Sequence, residues 1–437
     1  MKIPGILDKS SAPPPGTLAV LGLVLAAVLV QFGMHVAMIA KKGDLRDFAA
    51  GYTAAVVART GATFYDPQPG NPWFGANVNV DLMAAARQAG TLHQHPEFEH
   101  VHIFSYPPAM MFVFLPFSSL SFPAAKLIWL ALSLLMIGGA LWLLVRWFQF
   151  GLLTVFGLLF VAAVFHPLRN TVDLGQVNAL MFLGMTGFWV LYRQGRETAA
   201  GIVLGATAAT RLHPGLIVLY LLWRRQFRTG GIALAVACAV SAGATGLFGF
   251  RDTVVYVEQV APKFTTPLIS VENHSLAGFL ATVAHAWGWG LSGQVVGPAW
   301  LAWGAALVVI AATLLILSPG RRTSGSERLN DIELALLLVA IPLATPNATV
   351  NHLLMLLPCI GILLERMVRQ AAPGGVLWPV LTGLAVILIG VVDDFYVHPL
   401  LASGPLILLA EIKFYGVVLL YAALAHQLIT SRRSPHA

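Results

Sequence analysis

The chain has 437 residues, 57% of them hydrophobic and only 10% charged, with a formal charge of +7. An ordinary globular domain has roughly a quarter of its residues charged. Composition therefore excludes the two or three soluble domains that length alone would suggest, and points to an all-α, polytopic integral membrane protein. With so few charges, the basic excess reads as topology signal and lipid-headgroup contact, not as nucleic-acid binding.

Met1 to Ser11 is polar and includes Lys2 and Lys9. Thr17 to Ala40 is too long an apolar run for a signal-peptide core and has no small-residue cleavage site, so it predicts a retained first span. Spanning takes about 20 apolar residues of helix. Further spans are predicted near 121–145, 151–167, 175–192, 230–250, 295–317, 332–345, 350–364, 376–392 and 404–428, within a single transmembrane domain over 1–437. The expectation is ten or eleven spans. Cys238 and Cys359 lie inside apolar runs and suggest neither a disulfide nor a metal site.

The first long loop, approximately 41–106, opens GDLRDFAAGYTAAVVARTG. Leu45, Phe48, Ala49, Tyr52, Ala55 and Val56 recur at helical spacing on one face, Asp44 and Asp47 share another, and Gly61 supplies a stop. The pattern predicts a helix lying in the membrane interface, apolar face in lipid. Its carboxylates are either a general base at headgroup height or acids favoured by the dipole at a helix start. TFYDP at 63–67 and HIFSYPPAMMFVFLP at 102–116 follow, with Tyr106, Pro107 and Pro108 bending the chain into an apolar run. HPLRNTVDLGQVNAL at 166–180 then crowds Arg169, Asn170, Asp173, Gln176 and Asn178 at the mouth of two spans. There Gln176 and Asn178 either cap backbone or hold a sugar hydroxyl or a phosphate.

Residues 198–223 differ from the rest: AAGIVLGATAAT, then RLHP, then GLIVLYLLW. Pro214 removes a backbone donor and disfavours helix at the residue before it. With the N-terminus inside, Arg146, Arg193, Arg196, Arg224, Arg225, Arg228, Arg321, Arg322, Arg328, Arg366, Arg369, Arg432 and Arg433 all fall on the cytoplasmic side. That alternation requires 198–223 to enter and return to the same side. Each half is about a dozen residues, roughly 18 Å of helix. The prediction is a helical hairpin with Arg211, Leu212, His213 and Pro214 at its tip, facing a cavity open to the outside. An ionisable group at that depth marks a functional site. Arg211 suits a phosphate, because its fork donates two hydrogen bonds, or else it pairs internally with an acid such as Asp173.

The second long loop, 251–294, contains SVENHSL at 270–276, and TPNATVNHLL follows at 345–354; they place His274 and His352 outside. Neither has metal-ligand spacing, and no HExxH or Gly-rich phosphate loop occurs. Asn273 and Asn347 fall in N-x-S/T patterns, which matter only in a glycosylating secretory pathway.

In order, DFAAGY, FYDP, FSYPP, DLGQVNAL, GIVLGATAATRLHPGLIVLYLLWRR, ENHSL and TPNATVNHLLMLLP resemble glycosyltransferase family 87 over approximately 40–365. These are polyprenol-phosphate-mannose-dependent mannosyltransferases of the GT-C fold. The ordered set carries the resemblance, above all Gly-Gln-x-Asn followed by the basic-x-x-Pro hairpin. The resemblance implies transfer of one sugar from a polyprenyl monophosphate to a lipid or glycan acceptor outside the cytoplasmic membrane. It places the catalytic carboxylate in the segment matched by DFAAGY, hence at Asp47. The family's basic residue before the hairpin proline is usually Lys; here it is Arg211. Its late loop usually reads Ser-Pro-x-Ser-Trp with two successive His. Here the loop runs Thr345, Pro346, Asn347, Ala348, Thr349, Val350, Asn351, His352, keeping Pro346 and one His but no Trp. The donor sugar and acceptor are left open by that departure.

The expected chemistry is an inverting displacement. Asp47 takes the acceptor proton, and Arg211 with His352 stabilises the departing phosphate. His213, Gln176, Asn178, Asp44, Tyr106 and His274 are further candidates for substrate or phosphate contact. No metal or other cofactor is expected, since a monophosphate leaving group demands less metal than a diphosphate. Partners are the lipid-linked sugar, the acceptor and membrane lipids, at the cytoplasmic (inner) membrane with both termini cytoplasmic and the site facing the periplasmic side. The alternative is a transporter or flippase of a lipid-linked sugar, which shares the spans and broken helices; a structural envelope subunit is a third reading.

Overall fold

The computed structural model describes residues 14–65, 88, 104–291, 293–318, 329–369, 375–391, 401 and 404–433. Lys2 and Lys9, Asp66 and Pro67 with nearly all the remainder of the first loop, Arg321, Arg322 and Arg328, and the short loop 393–399 lie outside the described residues. The described regular structure is helical, with one isolated bridge between Leu268 and Val296.

In chain order the helices are α1 (Pro15–Lys42), α2 (Arg46–Ala58), a composite turn α3 (Pro108–Ser119), α4 (Phe122–Phe148), α5 (Leu152–Val164), α6 (His166–Leu174), α7 (Asn178–Arg193), α8 (Glu197–Thr210), α9 (Gly215–Trp223), α10 (Phe227–Phe248), α11 (Phe250–Val255), α12 (Leu276–Ala286), α13 (Ala299–Leu317), α14 (Asp331–Ala344), α15 (Val350–Val368), α16 (Leu377–Val386) and α17 (Ile412–Arg433). Six are long and apolar enough to cross a membrane, or seven if α5 and α6, bent 48° at Phe165, form one span. The bend has a local cause. Phe165 is extended (φ −70, ψ 110), and Pro167 in the first turn of α6 has no N–H to continue the α5 ladder.

The expected ten or eleven spans are thus not reached by length. The shortfall lies in segments such as α14, which has 14 residues, about 21 Å at 1.5 Å per residue. That is shorter than the roughly 30 Å hydrocarbon layer. Every residue from Ile332 to Ala344 is buried, so α14 is surrounded by protein and need not match the lipid thickness. It sits against α13, α15 and α17. The outer helices show the converse. No residue in the most apolar stretch of α1 is buried. On α13, Trp300, Trp303, Leu307 and Leu315 all face outward. Such continuous exposed apolar surface is the mark of a lipid-facing protein.

Helix α8 is held between α7 and α10 by small residues. A Cβ at Gly201 would lie 2.8 Å from the carbonyl oxygen of Thr229, and one at Gly205 would collide with that of Ala233. This close approach of backbones is how helices associate where lipid removes the hydrophobic drive. The same contacts give direction. Gly201 and Gly205 of α8 follow Thr229 and Ala233 of α10, while Leu222 at the end of α9 lies against Gly230 near the start of α10. The start of α8 and the end of α9 therefore meet at one end of the bundle, and residues 211–214 form the tip at the other. Helix α7 runs opposite to α8, with Gly184 against Thr207 and Gly187 against Val203, so Asn178 lies at the tip end and Arg193 at the far end.

The far end is rich in arginine. Arg193 pairs with Asp331 at 3.2 Å and donates to the Trp147 carbonyl at 2.7 Å. Arg228 approaches Glu197 at 3.7 Å, and Arg369 bonds to Glu365, which also accepts from the Gly151 amide. The arginines predicted for the cytoplasmic side thus gather at one end wherever they are described.

Candidate active site

The opposite end is organised by the junction of α2 with the α6–α7 turn. Leu45 takes a left-handed conformation (φ 45) and turns the chain from α1 into α2. This is why Asp44 and Asp47 do not share a helix face: α2 begins only at Arg46, Asp44 precedes it exposed, and Asp47 sits in its first turn. The apolar face of α2 does not lie in lipid either. Phe48 stacks on Trp129 of α4 (centroids 5.2 Å, 15°) and meets Phe117 edge-on at 5.5 Å, and Tyr52 donates to the Leu120 carbonyl at 2.7 Å. Nine of the 13 residues of α2 are buried, so protein aromatics take the place expected for the membrane interface.

Gly175 makes the junction possible. It ends α6 in the left-handed region (φ 64), and a Cβ there would come within 2.7 Å of Leu45 and 2.9 Å of Phe48. Both the conformation and the close approach require glycine. Trp129 Nε1 donates to the Gly175 carbonyl at 2.8 Å and pins the turn. The next residue, Gln176, is thereby delivered to Asp47, and its Nε2 donates to the Asp47 carboxylate. Its Oε1 accepts from the Tyr106 hydroxyl at 3.3 Å. Tyr106 is itself fixed through its main-chain carbonyl, which accepts from the Tyr65 hydroxyl at 2.7 Å.

The hairpin tip completes the group. Arg211 leaves the helix in an extended conformation (φ −149, ψ 132), as the break before Pro214 predicts. Its guanidinium lies over the Tyr106 ring, 5.3 Å from the centroid, and donates to Asn178 Oδ1 at the start of α7. Asp173, the alternative partner, instead meets His35 of α1 at 2.7 Å. Burial pushes the Tyr106 phenol up to about 12, partly offset by the Arg211 charge, so it keeps its proton.

His213 and His352 meet edge to face, centroids 5.2 Å apart. His352 begins α15 within a seven-residue 3-10 stretch, Val350–Leu356. Runs of that kind rarely exceed three or four residues and often mark a functional hinge or strain. The Thr349 amide donates to His352 Nδ1 at 3.0 Å, which puts the ring proton on Nε2. That Nε2 is buried without a hydrogen-bond partner in the structure, and so is Asn178 Nδ2. Around the Arg211 tip there are thus two donors with nothing to donate to. Buried polar groups in this condition call for an explanation.

His274 does not stand on an outer surface. It is fully buried, and its amide donates to the Ala348 carbonyl at 2.8 Å. Burial, with the charges of Lys413 and His166, holds it down to about 3, so it is neutral at any physiological pH. The neighbouring asparagines brace the two late loops. Asn273 Nδ2 donates to Leu268 O, Pro346 O and Asn347 Oδ1, and its Oδ1 accepts from the Ala348 amide at 3.0 Å. Asn347 accepts from the Leu268 amide and donates to Thr266 O, both at 2.8 Å. Asn273 is completely buried, and this cross-bracing is the role its N-x-S/T pattern conceals.

Sequence reading passed over His35 on α1, and Glu411 and Lys413 at the start of α17. All three are ionisable groups inside predicted spans, the signal that singled out Arg211. Glu411 and Lys413 are fully buried, and Lys413 donates to the Ile389 carbonyl at 3.0 Å. Among the described residues no group of three or more His, Cys, Asp or Glu is placed to hold a metal ion.

Over 348 residues the chain is 25% identical to the polyprenol-phosphate-mannose-dependent alpha-(1-2)-phosphatidylinositol pentamannoside mannosyltransferase of Mycobacterium tuberculosis, covering 75% of each. It is 23% identical over 275 residues to an alpha-(1->3)-arabinofuranosyltransferase of the same species, covering 61% of this chain and 57% of that relative. No solved structure matches it. The model for glycosyltransferase family 87 matches residues 104–346, a stretch that holds Tyr106, Gln176, Asn178, Arg211 and Asn273, and the chain belongs to that family.

Proposed function

We propose that the protein transfers a single sugar, mannose, from a polyprenyl monophosphate donor to a lipid or glycan acceptor at the outer face of the cytoplasmic membrane, with inversion at the sugar. The observation that carries this reading is the pairing, at one end of the bundle, of a carboxylate with a guanidinium and two unsatisfied donors. Asp47 lies on one side, and Arg211, Asn178 Nδ2 and His352 Nε2 lie on the other. In the displacement the acceptor oxygen attacks the anomeric carbon as Asp47 removes its proton. The bond from that carbon to the phosphate oxygen breaks, and the electron pair leaves with the phosphate. Arg211 offers a forked, permanently charged donor to that anion, and His352 and Asn178 add neutral ones. His213 packs on His352 and keeps that ring in place. Asp44 is exposed ahead of α2 and His274 is fully buried in the late-loop brace, and neither is given a step in the displacement.

The membrane orientation follows from charge. Arginines mark the cytoplasmic end, so the Asp47–Arg211 end faces outside. Helix α1 ends beside Asp47, and α17 begins beside Ile389 and runs to Arg433, an arrangement that supports cytoplasmic termini. The mannosyltransferase relative depends on polyprenol-phosphate-mannose, which supports the choice of donor.

The test is transfer by purified protein in nanodiscs, with polyprenyl-phosphate-mannose and an envelope lipid extract, in the presence of EDTA. Wild type forms labelled product, and Asp47→Asn, equally well folded, loses at least about a hundredfold in rate. Wild-type activity that survives in Asp47→Asn contradicts the assignment of the base. Lipid movement across the bilayer without transfer would favour a flippase.

A further inference from the structure

We infer that Gln176 and Tyr106 form a positioning relay that holds the Asp47 carboxylate in its reactive orientation and couples it to Arg211. This rests on the reading of Asp47 as the base. The hydrogen bonds run in one direction. The Tyr106 hydroxyl donates to Gln176 Oε1, and Gln176 Nε2 donates to Asp47. A carboxamide is ambiguous alone, because either of its ends can turn toward a neighbour. Here the carboxylate fixes it: an ionised carboxylate can meet only the nitrogen, which leaves the carboxamide oxygen to accept from the phenol.

The relay is anchored on both sides. Trp129 and the left-handed Gly175 hold the turn before Gln176, and the Gln176 amide itself donates to the Thr171 carbonyl at 2.9 Å. Tyr65 fixes the backbone of Tyr106 at 2.7 Å. Arg211 covers the Tyr106 ring, so whatever anion draws the guanidinium toward itself also acts on the phenol that sets Gln176. Linked hydrogen bonds polarise one another, and a donor at one end strengthens the donor at the next. The relay therefore does two things for Asp47. It points one oxygen away from Gln176, toward the acceptor, and it favours the charged form of the carboxylate.

The ionisable groups on the elements around Asp47 are Asp44, Arg46, Tyr52 and Arg59 on or beside α2, His35, Lys41 and Lys42 on α1, His166, Arg169 and Asp173 on α6, Lys126 and Arg146 on α4, and Tyr106 and Arg211 at the tip. Of these, removing the phenol hydroxyl touches only Tyr106 and its bond with Arg211, and changing Gln176 replaces none of them.

The experiment compares wild type with Tyr106→Phe, Gln176→Glu and Asp47→Asn in nanodiscs, measuring kcat, KM for polyprenyl-phosphate-mannose and the pH–rate profile. Size-exclusion and thermal unfolding confirm that each variant is folded. Tyr106→Phe keeps the ring under Arg211 and loses the hydroxyl that donates to Gln176 and meets the Arg211 guanidinium. It lowers kcat about tenfold, leaves the donor KM within about twofold, and moves the acid limb of the profile up by about one pH unit. Gln176→Glu sets a second carboxylate against the first, and moves the limb further in the same direction. If both variants match wild type in kcat and profile while Asp47→Asn is inactive, the relay is wrong and the base assignment stands. If both raise the donor KM with an unmoved profile, these residues bind donor and do not position Asp47. If Asp47→Asn retains full transfer, the reading of the base falls and takes the relay with it.

Discussion

The two ends of the bundle handle charge in opposite ways. At the far end Arg193, Arg228 and Arg369 meet Asp331, Glu197 and Glu365, and their side chains are 42%, 72% and 58% exposed. Each of these three finds a partner or a main-chain carbonyl and water reaches all of them, while Arg366 at the same end keeps a buried Nε without a hydrogen bond. At the tip end Arg211 rests on a neutral amide and an aromatic ring, and two buried donors are left with no partner. Satisfied, solvated charge is what topology requires. Unsatisfied, buried polarity costs stability, about 1–3 kcal/mol for each unmade bond. A fold retains that cost where a ligand completes the bonds.

The largest effect that sharpens this contrast is at Arg211. Arg211→Ala lowers the transfer rate by roughly 10²–10³, as expected on removing a charged donor from a developing anion. Arg211→Lys recovers part of it, since a point charge replaces the fork. Steady-state transfer assays measure both.

Next is the late-loop brace. Asn273→Ala deletes a fully buried side chain that bonds to both loops. It leaves several main-chain groups unpaired, at about 1–3 kcal/mol each. The prediction is a clear drop in the melting temperature of the detergent-solubilised protein, whereas Ser275→Ala, which removes a single hydroxyl, has a smaller effect.

The third effect is pH-dependent. His274 has its ordinary value near 6.5 in the unfolded chain and about 3 when folded, because of burial first and of Lys413 and His166 second. Below pH 6.5 the unfolded chain takes up a proton that the folded one refuses. The contribution of a neutral His274 is therefore complete above pH 6.5 and is lost as pH falls toward 3. The melting temperature should decline over this window, and more shallowly in His274→Gln. The smallest effect belongs to the far end. Arg228→Ala removes an exposed pair and should change stability by no more than about 0.5 kcal/mol, with transfer unaltered.

Much of this contrast was legible in the sequence, and the rest had physical reasons for being hidden. Arginine placement anticipated that the described arginines share one end, because loop charge is a one-dimensional signal. Pro214 and the charged residues around it marked the break in the hairpin. The expected span count is not matched by length among the described residues, because hydropathy cannot tell an apolar helix facing lipid from one enclosed by protein, and α14 is the second kind. The placement of α2 failed for a related reason. An amphipathic face reads the same whether it meets lipid or Trp129 and Phe117. Asp44 was put beside Asp47 because spacing assumes a continuous helix, and the left-handed Leu45 interrupts it. Gln176 and Asp47 are 129 residues apart, and their hydrogen bond depends on Gly175 admitting α2 to the turn; no local pattern encodes such a contact. The asparagine brace was hidden behind a sequence pattern that suggested an exposed modification site.

The most direct measurement is a cryo-electron microscopy structure with a phosphonate analogue of polyprenyl-phosphate-mannose, which cannot release its sugar. The account predicts the phosphonate against Arg211, with His352 Nε2 and Asn178 Nδ2 donating to it, and the anomeric carbon facing Asp47. A phosphonate bound among the far-end arginines, or an anomeric carbon turned away from Asp47, would contradict it.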